Sequence, residues 1–338
     1  MKKSIFLSFI LCLCLIACIP QQAMAQKQSR MEKLLRYLND NDADKWQKNR
    51  EKLDDETKAY YAEDLSLMDV LNDLWNGQSE QAATLYFGCY EKAAQSNFPS
   101  ICEGEKIPLS QIRDKADQSI INLLEASKDK IPFSRALLDS IHATEYPVDS
   151  AMLQRLQNIR EVALLEGMLK APTPIIYQTY VKEYPNGKFI AQVNASENVR
   201  LYQLVKTTPT PANFKAFFED PEMQKYYQDR GPRPYLAEVR TLYDDFLFQR
   251  IDSLKKEGNA TAIRQIIDDY KNTPYLATGA RTHLNDLEYL SEKADFELLK
   301  PAIVNSESLG LLQEFLKTHK YKEFRDQAKN SLISIVSC

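Results

Sequence analysis

Apolar residues stand three and four positions apart along almost the whole chain, as at Met152, Leu156, Ile159 and Ala163. This spacing is typical of one face of an α-helix and differs from the strict alternation of a half-buried strand. Glycine supplies only 9 of the 338 residues, although phosphate-binding loops and tight β-turns depend on glycine. We therefore predict an all-α chain, because nucleotide-binding α/β folds and β-sandwiches use more glycine.

The second half of the chain repeats a pattern. Two apolar residues stand four and three positions before an aromatic residue or histidine in 180–184, 266–270 and 315–319. Another aromatic follows five positions later, and a small or branched residue four positions after that: Phe189 and Val193, Tyr275 and Gly279, Phe324 and Ala328. The pattern predicts a short helix, a tight turn and a second helix. Such pairs cannot bury their apolar faces alone, so we expect antiparallel hairpins stacked as an α-solenoid; a non-repetitive bundle is the alternative.

The strings YVKEYPNGKFIAQ and FLKTHKYKEFRDQA resemble the helix-turn-helix units of tetratricopeptide-like repeat proteins, particularly envelope lipoproteins of the outer-membrane assembly type. The resemblance covers about residues 172–338, with a fainter echo over 74–93. It implies a groove for peptides or protein partners, and it carries over no functional residue. We divide the chain into a signal peptide (1–25), an N-terminal helical region (26–170) and a tetratricopeptide-like region (171–338).

The first residues resemble a bacterial export signal of a Gram-negative envelope protein. Two lysines precede an apolar run from Ile5 to Ala17 that is too short to span a bilayer. Two endings are open: Leu15–Cys18 resembles a lipobox that would lipidate Cys18, and Ala23–Ala25 resembles a signal peptidase site that would be cut before Gln26. Either ending predicts an exported, periplasmic protein, and lipidation of Cys18 would anchor it to the outer membrane as its only membrane contact.

The net charge of the mature chain indicates which class of partner it can bind. Removing residues 1–25 removes two lysines and no acid, which leaves 41 basic against 47 acidic side chains. No basic cluster suited to phosphate neutralisation occurs, so we expect no nucleic-acid partner. We expect instead a protein or peptide partner in the envelope.

The cysteines allow two interpretations. Cys89 and Cys102 remain in the folded chain, and a turn at Asn97–Ser100 would let them form a disulfide in an oxidising compartment. Alternatively, Cys89 is a small buried residue and Cys102 a loop thiol.

Signals for catalysis are weak. The three histidines, His142, His283 and His319, lack zinc-ligand spacing, and no nucleophile elbow or phosphate loop occurs. Asp40, Asp42, Asp44 and Glu51 have the spacing of a calcium loop, but lysine stands where its turn needs glycine. We therefore predict a polar turn in which an aspartate caps a helix beginning near residue 45, and no catalytic, cofactor or metal site.

Two features suggest a binding surface. The pairs Tyr60–Tyr61 and Tyr226–Tyr227 either line such a surface or fill joints between helices. The segment Gln228–Pro234, rich in glycine and proline, either contacts a partner or serves as a connector. We predict a non-catalytic scaffold or adaptor of the envelope. The alternatives are an envelope enzyme, with carboxylates brought together from separate helices, and a glycan-binding protein.

Overall fold

The computed structural model describes residues 23–257, 260–271, 278–303 and 309–336. Within these ranges the chain is helical and contains no β-strand, which confirms the predicted all-α class. Helix α1 covers residues 23–39. The helices that follow are α2 (Ala43–Glu51), α3 (Asp55–Tyr60), α4 (Ala62–Trp75), α5 (Glu80–Ala94), α6 (Phe98–Glu105), α7 (Leu109–Ala126), α8 (Lys130–His142), α9 (Ser150–Lys170), α10 (Pro174–Glu183), α11 (Ile190–Thr207), α12 (Pro211–Phe218), α13 (Pro221–Tyr227), α14 (Leu236–Glu257), α15 (Ala260–Lys271), α16 (Thr278–Leu299), α17 (Leu309–Thr318) and α18 (Lys322–Val336).

The chain forms two compact units. Of the described residues, those within Met1–Ala171 and Gln178–Phe189 form the first, and those within Pro172–Tyr177 and Ile190–Cys338 form the second. Helix α10 is therefore divided between them.

In the first unit, helix hairpins stack. Helix α4 packs on α5 and α7 packs on α8, while α4 also contacts α7 and α5 contacts α8. Helix α9 completes the arrangement against α7 and α8. One continuous apolar core results because each hairpin covers the apolar face of the next. Its fully buried members include Leu67, Met68, Leu71, Phe87, Phe98, Ile120, Leu124, Leu137 and Leu156.

A polar network lies at the C-terminal end of the first unit. Arg160, which is 2% exposed, donates from Nε and Nη2 to the two carboxylate oxygens of Glu183 at 2.5 and 2.8 Å. Burial raises the pKa of Glu183, but the hydrogen bonds and charges of Arg160 and Arg135 together outweigh it and leave that pKa lowered. Tyr180 donates to Glu161 at 2.8 Å. Gly187 fits beside this pair because a Cβ there would lie 2.5 Å from the Tyr180 hydroxyl.

In the second unit, helices α11, α14, α16 and α18 form a row in which each contacts the next. The pairs α15 with α16 and α17 with α18 pack as the repeats predict. Phe324 and Ala328 share a core cluster with Phe315 and Phe296, which confirms that the opening aromatic of this second helix packs back on the first. Tyr275 lies outside the described residues, as do the side chains of Tyr270 and Gly279.

The surroundings of Cys102 differ from those expected, because the chain around residue 100 is helical rather than a loop. Asn97–Ser100 is not an open turn, because α6 begins at Phe98 with proline in its first turn. Cys102 is consequently a buried helical residue rather than a loop thiol, and burial raises its pKa to about 12. Cys89 lies with its Sγ 3.5 Å from the hydroxyl of Ser66. Both sulfurs are free thiols, so the disulfide is not formed in this structure. The predicted lipidation residue, Cys18, lies outside the described residues.

Candidate functional site

Two short helices that begin with proline build the candidate site in the second unit. Thr210 accepts a hydrogen bond from the amide of Asn213 and caps α12, and Asp220 caps α13 through the amide of Met223 at 2.8 Å. Proline follows each cap at the first helical position, where its missing N–H does no harm. The sequence therefore ends one helix and begins the next within a few residues.

The segment Gln228–Pro234 follows α13 and is held against α11. Gly231 has a φ of +93°, which favours glycine. Tyr235 has a φ of 65°, a left-handed conformation that costs a non-glycine residue about 1 kcal/mol or more. The Tyr235 ring stacks on Tyr202 with centroids 4.3 Å apart, and Asn198 donates to the carbonyl of Pro234 at 3.2 Å. These contacts hold the strained backbone in one conformation.

A cavity of about 680 Å³ lies between α13, this segment and the start of α14. We call it the arginine cavity. Its lining residues are Phe218, Pro221, Met223, Gln224, Lys225, Tyr227, Gln228, Gly231, Arg233, Leu236 and Arg240. Three of these side chains are cationic and none is acidic. A pocket of this size with an apolar lining and a few charged groups is typical of a binding site.

Arg233 is held in a fixed orientation. Its Nε donates to Asn198 Oδ1 at 2.6 Å, its Nη1 donates to the carbonyl of Phe217, and its guanidinium lies 3.9 Å from the centroid of the Phe217 ring. Its Nη2 is buried and has no hydrogen-bond partner. Burial lowers the pKa of Arg233, whereas the charge of Asp220 raises it. One side of the guanidinium is thus satisfied and the other is not.

Arg240, on α14, adds a second such donor, because its Nε is also buried without a hydrogen-bond partner. The two carboxylates whose charges act most on Arg233, those of Asp220 and Glu197, form hydrogen bonds to other groups. Asp220 caps α13, and Glu197 binds Arg200 through two hydrogen bonds of 2.6 and 2.7 Å. Neither carboxylate neutralises the cavity through a hydrogen bond to Arg233.

An acidic cleft of about 290 Å³ lies in the first unit, lined by Asp114, Asp117 and Asp149 together with Arg155. Burial raises the pKa of Asp117 to about 6, although the hydrogen bond from Tyr146 opposes the shift. Tyr146 donates to Asp117 Oδ1 at 2.6 Å. This carboxyl is therefore tied to the buried aromatic cluster of the first unit.

The other residues singled out in the sequence have structural surroundings. Asp42 accepts from the amide of Lys45 at 3.1 Å and caps α2, as predicted for this polar turn. His319 stacks on Phe315 with centroids 3.8 Å apart and lies 3.1 Å from Asp295. No cluster of histidine, cysteine or acidic side chains in the described part of the chain could hold a metal ion. The side chain of His283 lies outside the described residues.

The segment Gln228–Pro234 was recognisable in the sequence by its glycine and prolines, but Arg240 was not. Arg240 looks like any charged residue on a helix, and only the packing of α14 brings it to the cavity.

None of the helices in the described residues combines the length and apolarity that crossing a bilayer requires. Comparisons with known protein families, curated proteins and solved structures found no match.

Proposed function

We propose that the protein is a non-catalytic adaptor of the bacterial envelope that binds a segment of a protein partner at the arginine cavity. The observation that supports this proposal is a cavity lined by apolar side chains and three cations, with no acidic side chain in the lining. Stacked hairpins supply binding surfaces without any catalytic group. The export signal expected over residues 1–25 would deliver the chain to the periplasm.

Site-specific crosslinking in the bacterium that encodes the protein tests this proposal. A photoreactive phenylalanine would replace Gln228, which is exposed and lines the cavity. The matched control position is Gln81, which is exposed on α5 of the first unit. We expect a discrete protein adduct from position 228 and none from position 81.

The captured protein must then bind the purified mature chain. We expect Arg240→Met to weaken that binding at least tenfold, and Arg230→Met to leave it unchanged, because Arg230 lies on the same segment but does not line the cavity. An equal loss in both variants, or adducts of equal yield from both crosslinker positions, would contradict the proposal.

A further inference from the structure

We infer that the arginine cavity binds a carboxylate joined to an apolar group, and that a glutamate or aspartate side chain within a partner segment supplies it. This inference rests on the proposed function and names the chemistry that the site recognises. Its basis is the pairing of three cationic side chains, with no acidic one in the lining, with apolar side chains.

The cationic lining favours a ligand with negative charge. Arg233 and Arg240 both line the cavity, and guanidinium groups form strong charge-assisted hydrogen bonds with carboxylates. Lys225 adds a third positive charge to the lining, and no acidic side chain of the lining competes.

Arg233 is prepared for this role before a ligand arrives. Its bonds to Asn198 and to the Phe217 carbonyl, and its position over the Phe217 ring, already restrict its rotamers. A ligand therefore loses little affinity to ordering this side chain. The strained Tyr235, stacked on Tyr202, holds the same segment in place.

The lining also indicates what the carboxylate is attached to. Pro221 is exposed, Tyr227 and Leu236 are partly exposed, and all three line the cavity. An apolar residue next to the acid would remove this surface from water. Gln224 and Gln228 are exposed and line the same cavity, so their amides can bond to the main chain of an extended segment. These features favour an acidic side chain inside a segment over a small free anion.

Matched peptides test the inference on the purified mature chain. The probes are acetyl-Leu-Glu-Phe-amide, its Gln counterpart, and the Gln peptide with a free terminal carboxylate, each measured by ligand-observed NMR with and without inorganic phosphate. We expect the Glu peptide to bind about tenfold more tightly than the Gln amide, because a charge-assisted hydrogen bond replaces a neutral one. Arg240→Met should abolish this preference, and Arg240→Lys should restore part of it. Arg230→Met is the control and should keep the full preference.

Each other outcome overturns a stated part of the inference. Equal binding of the Glu and Gln amides would overturn the inference that the site recognises a carboxylate. If the crosslink from position 228 still forms in that case, the adaptor proposal stands without this inference. Tighter binding of the free-acid Gln peptide than of the Glu peptide overturns the side-chain source in favour of a chain terminus. If inorganic phosphate at the same concentration as the Glu peptide displaced that peptide completely, the cavity would be a general anion site. A tenfold preference without any crosslink in cells overturns the adaptor proposal instead.

Discussion

In the first unit, Arg160 is 2% exposed and donates to both carboxylate oxygens of Glu183, to the Ile131 carbonyl and to the Ser134 hydroxyl. In the second unit, Arg233 donates to an amide oxygen and a backbone carbonyl, and its Nη2 has no partner. Every guanidinium nitrogen of Arg160 is hydrogen-bonded within its unit, whereas one guanidinium nitrogen of Arg233 is not.

This difference separates a structural role from a binding role. A saturated buried ion pair has no capacity left for a ligand, and removing one partner leaves an uncompensated charge. A guanidinium that lines a cavity without an acidic partner can form a charge-assisted hydrogen bond to an anion there. Substitution of Arg160 should therefore reduce stability, whereas substitution of Arg240 should reduce binding with little effect on stability.

The largest expected effect is that of Arg160→Met. Removing the guanidinium leaves the part-buried Glu183 with only Arg135 as a partner and the Ile131 carbonyl without its donor, which should lower the free energy of unfolding by about 4 kcal/mol. Both tryptophans of the chain, Trp46 and Trp75, lie in the first unit. Tryptophan fluorescence during urea unfolding will therefore report the stability of that unit.

Arg155→Met is the matched control on the same helix. Arg155 pairs with Glu125, and both side chains are 47% exposed, so the loss should stay below about 0.5 kcal/mol. Losses of similar size in the two variants would remove the distinction between a buried and a surface pair, and with it the contrast drawn between the units.

A smaller effect is expected from the titration of Asp117, another buried group of the first unit. The folded state raises its pKa from 3.8 to about 6. Between these values the folded state keeps a proton that the unfolded state loses, so stability falls as the pH rises from about 4 to 7. The shift corresponds to roughly 3 kcal/mol. Asp117→Asn cannot ionise, so relative to wild type it should gain about this amount over that range in urea unfolding. If the free energy of unfolding of the two proteins changed with pH in the same way, the raised pKa of Asp117 would be refuted.

Some of this structure could be predicted from the sequence and some could not. The hairpin of α17 and α18 follows from its 3.6-residue periodicity, and the cap at Asp42 follows from local chemistry, because both depend on neighbours in the chain. The burial of Cys102 depends on how α6 packs. The prediction of a turn at Asn97–Ser100 with a loop thiol at Cys102 is therefore wrong. The unpartnered nitrogen of Arg240 is a tertiary property: α14 must pack against the segment after α13 before the nitrogen is buried, and no local pattern records that.

The smallest expected change in stability is that of Arg240→Met, and its sign is the sharpest test of the comparison. Methionine keeps much of the apolar stem and removes a buried donor that has no partner, so we expect a change between zero and a gain of about 1 kcal/mol in far-ultraviolet dichroism melts. The contrasting variant in the same unit is Arg200→Met, which strips the partner from Glu197, a residue that is only 2% exposed. That variant should lose about 2 kcal/mol or more, since it leaves a buried carboxylate uncompensated. A loss in Arg240→Met as large as in Arg200→Met would mean that Arg240 is bonded within the fold, and its contrast with the ion-paired Arg200 would then fail.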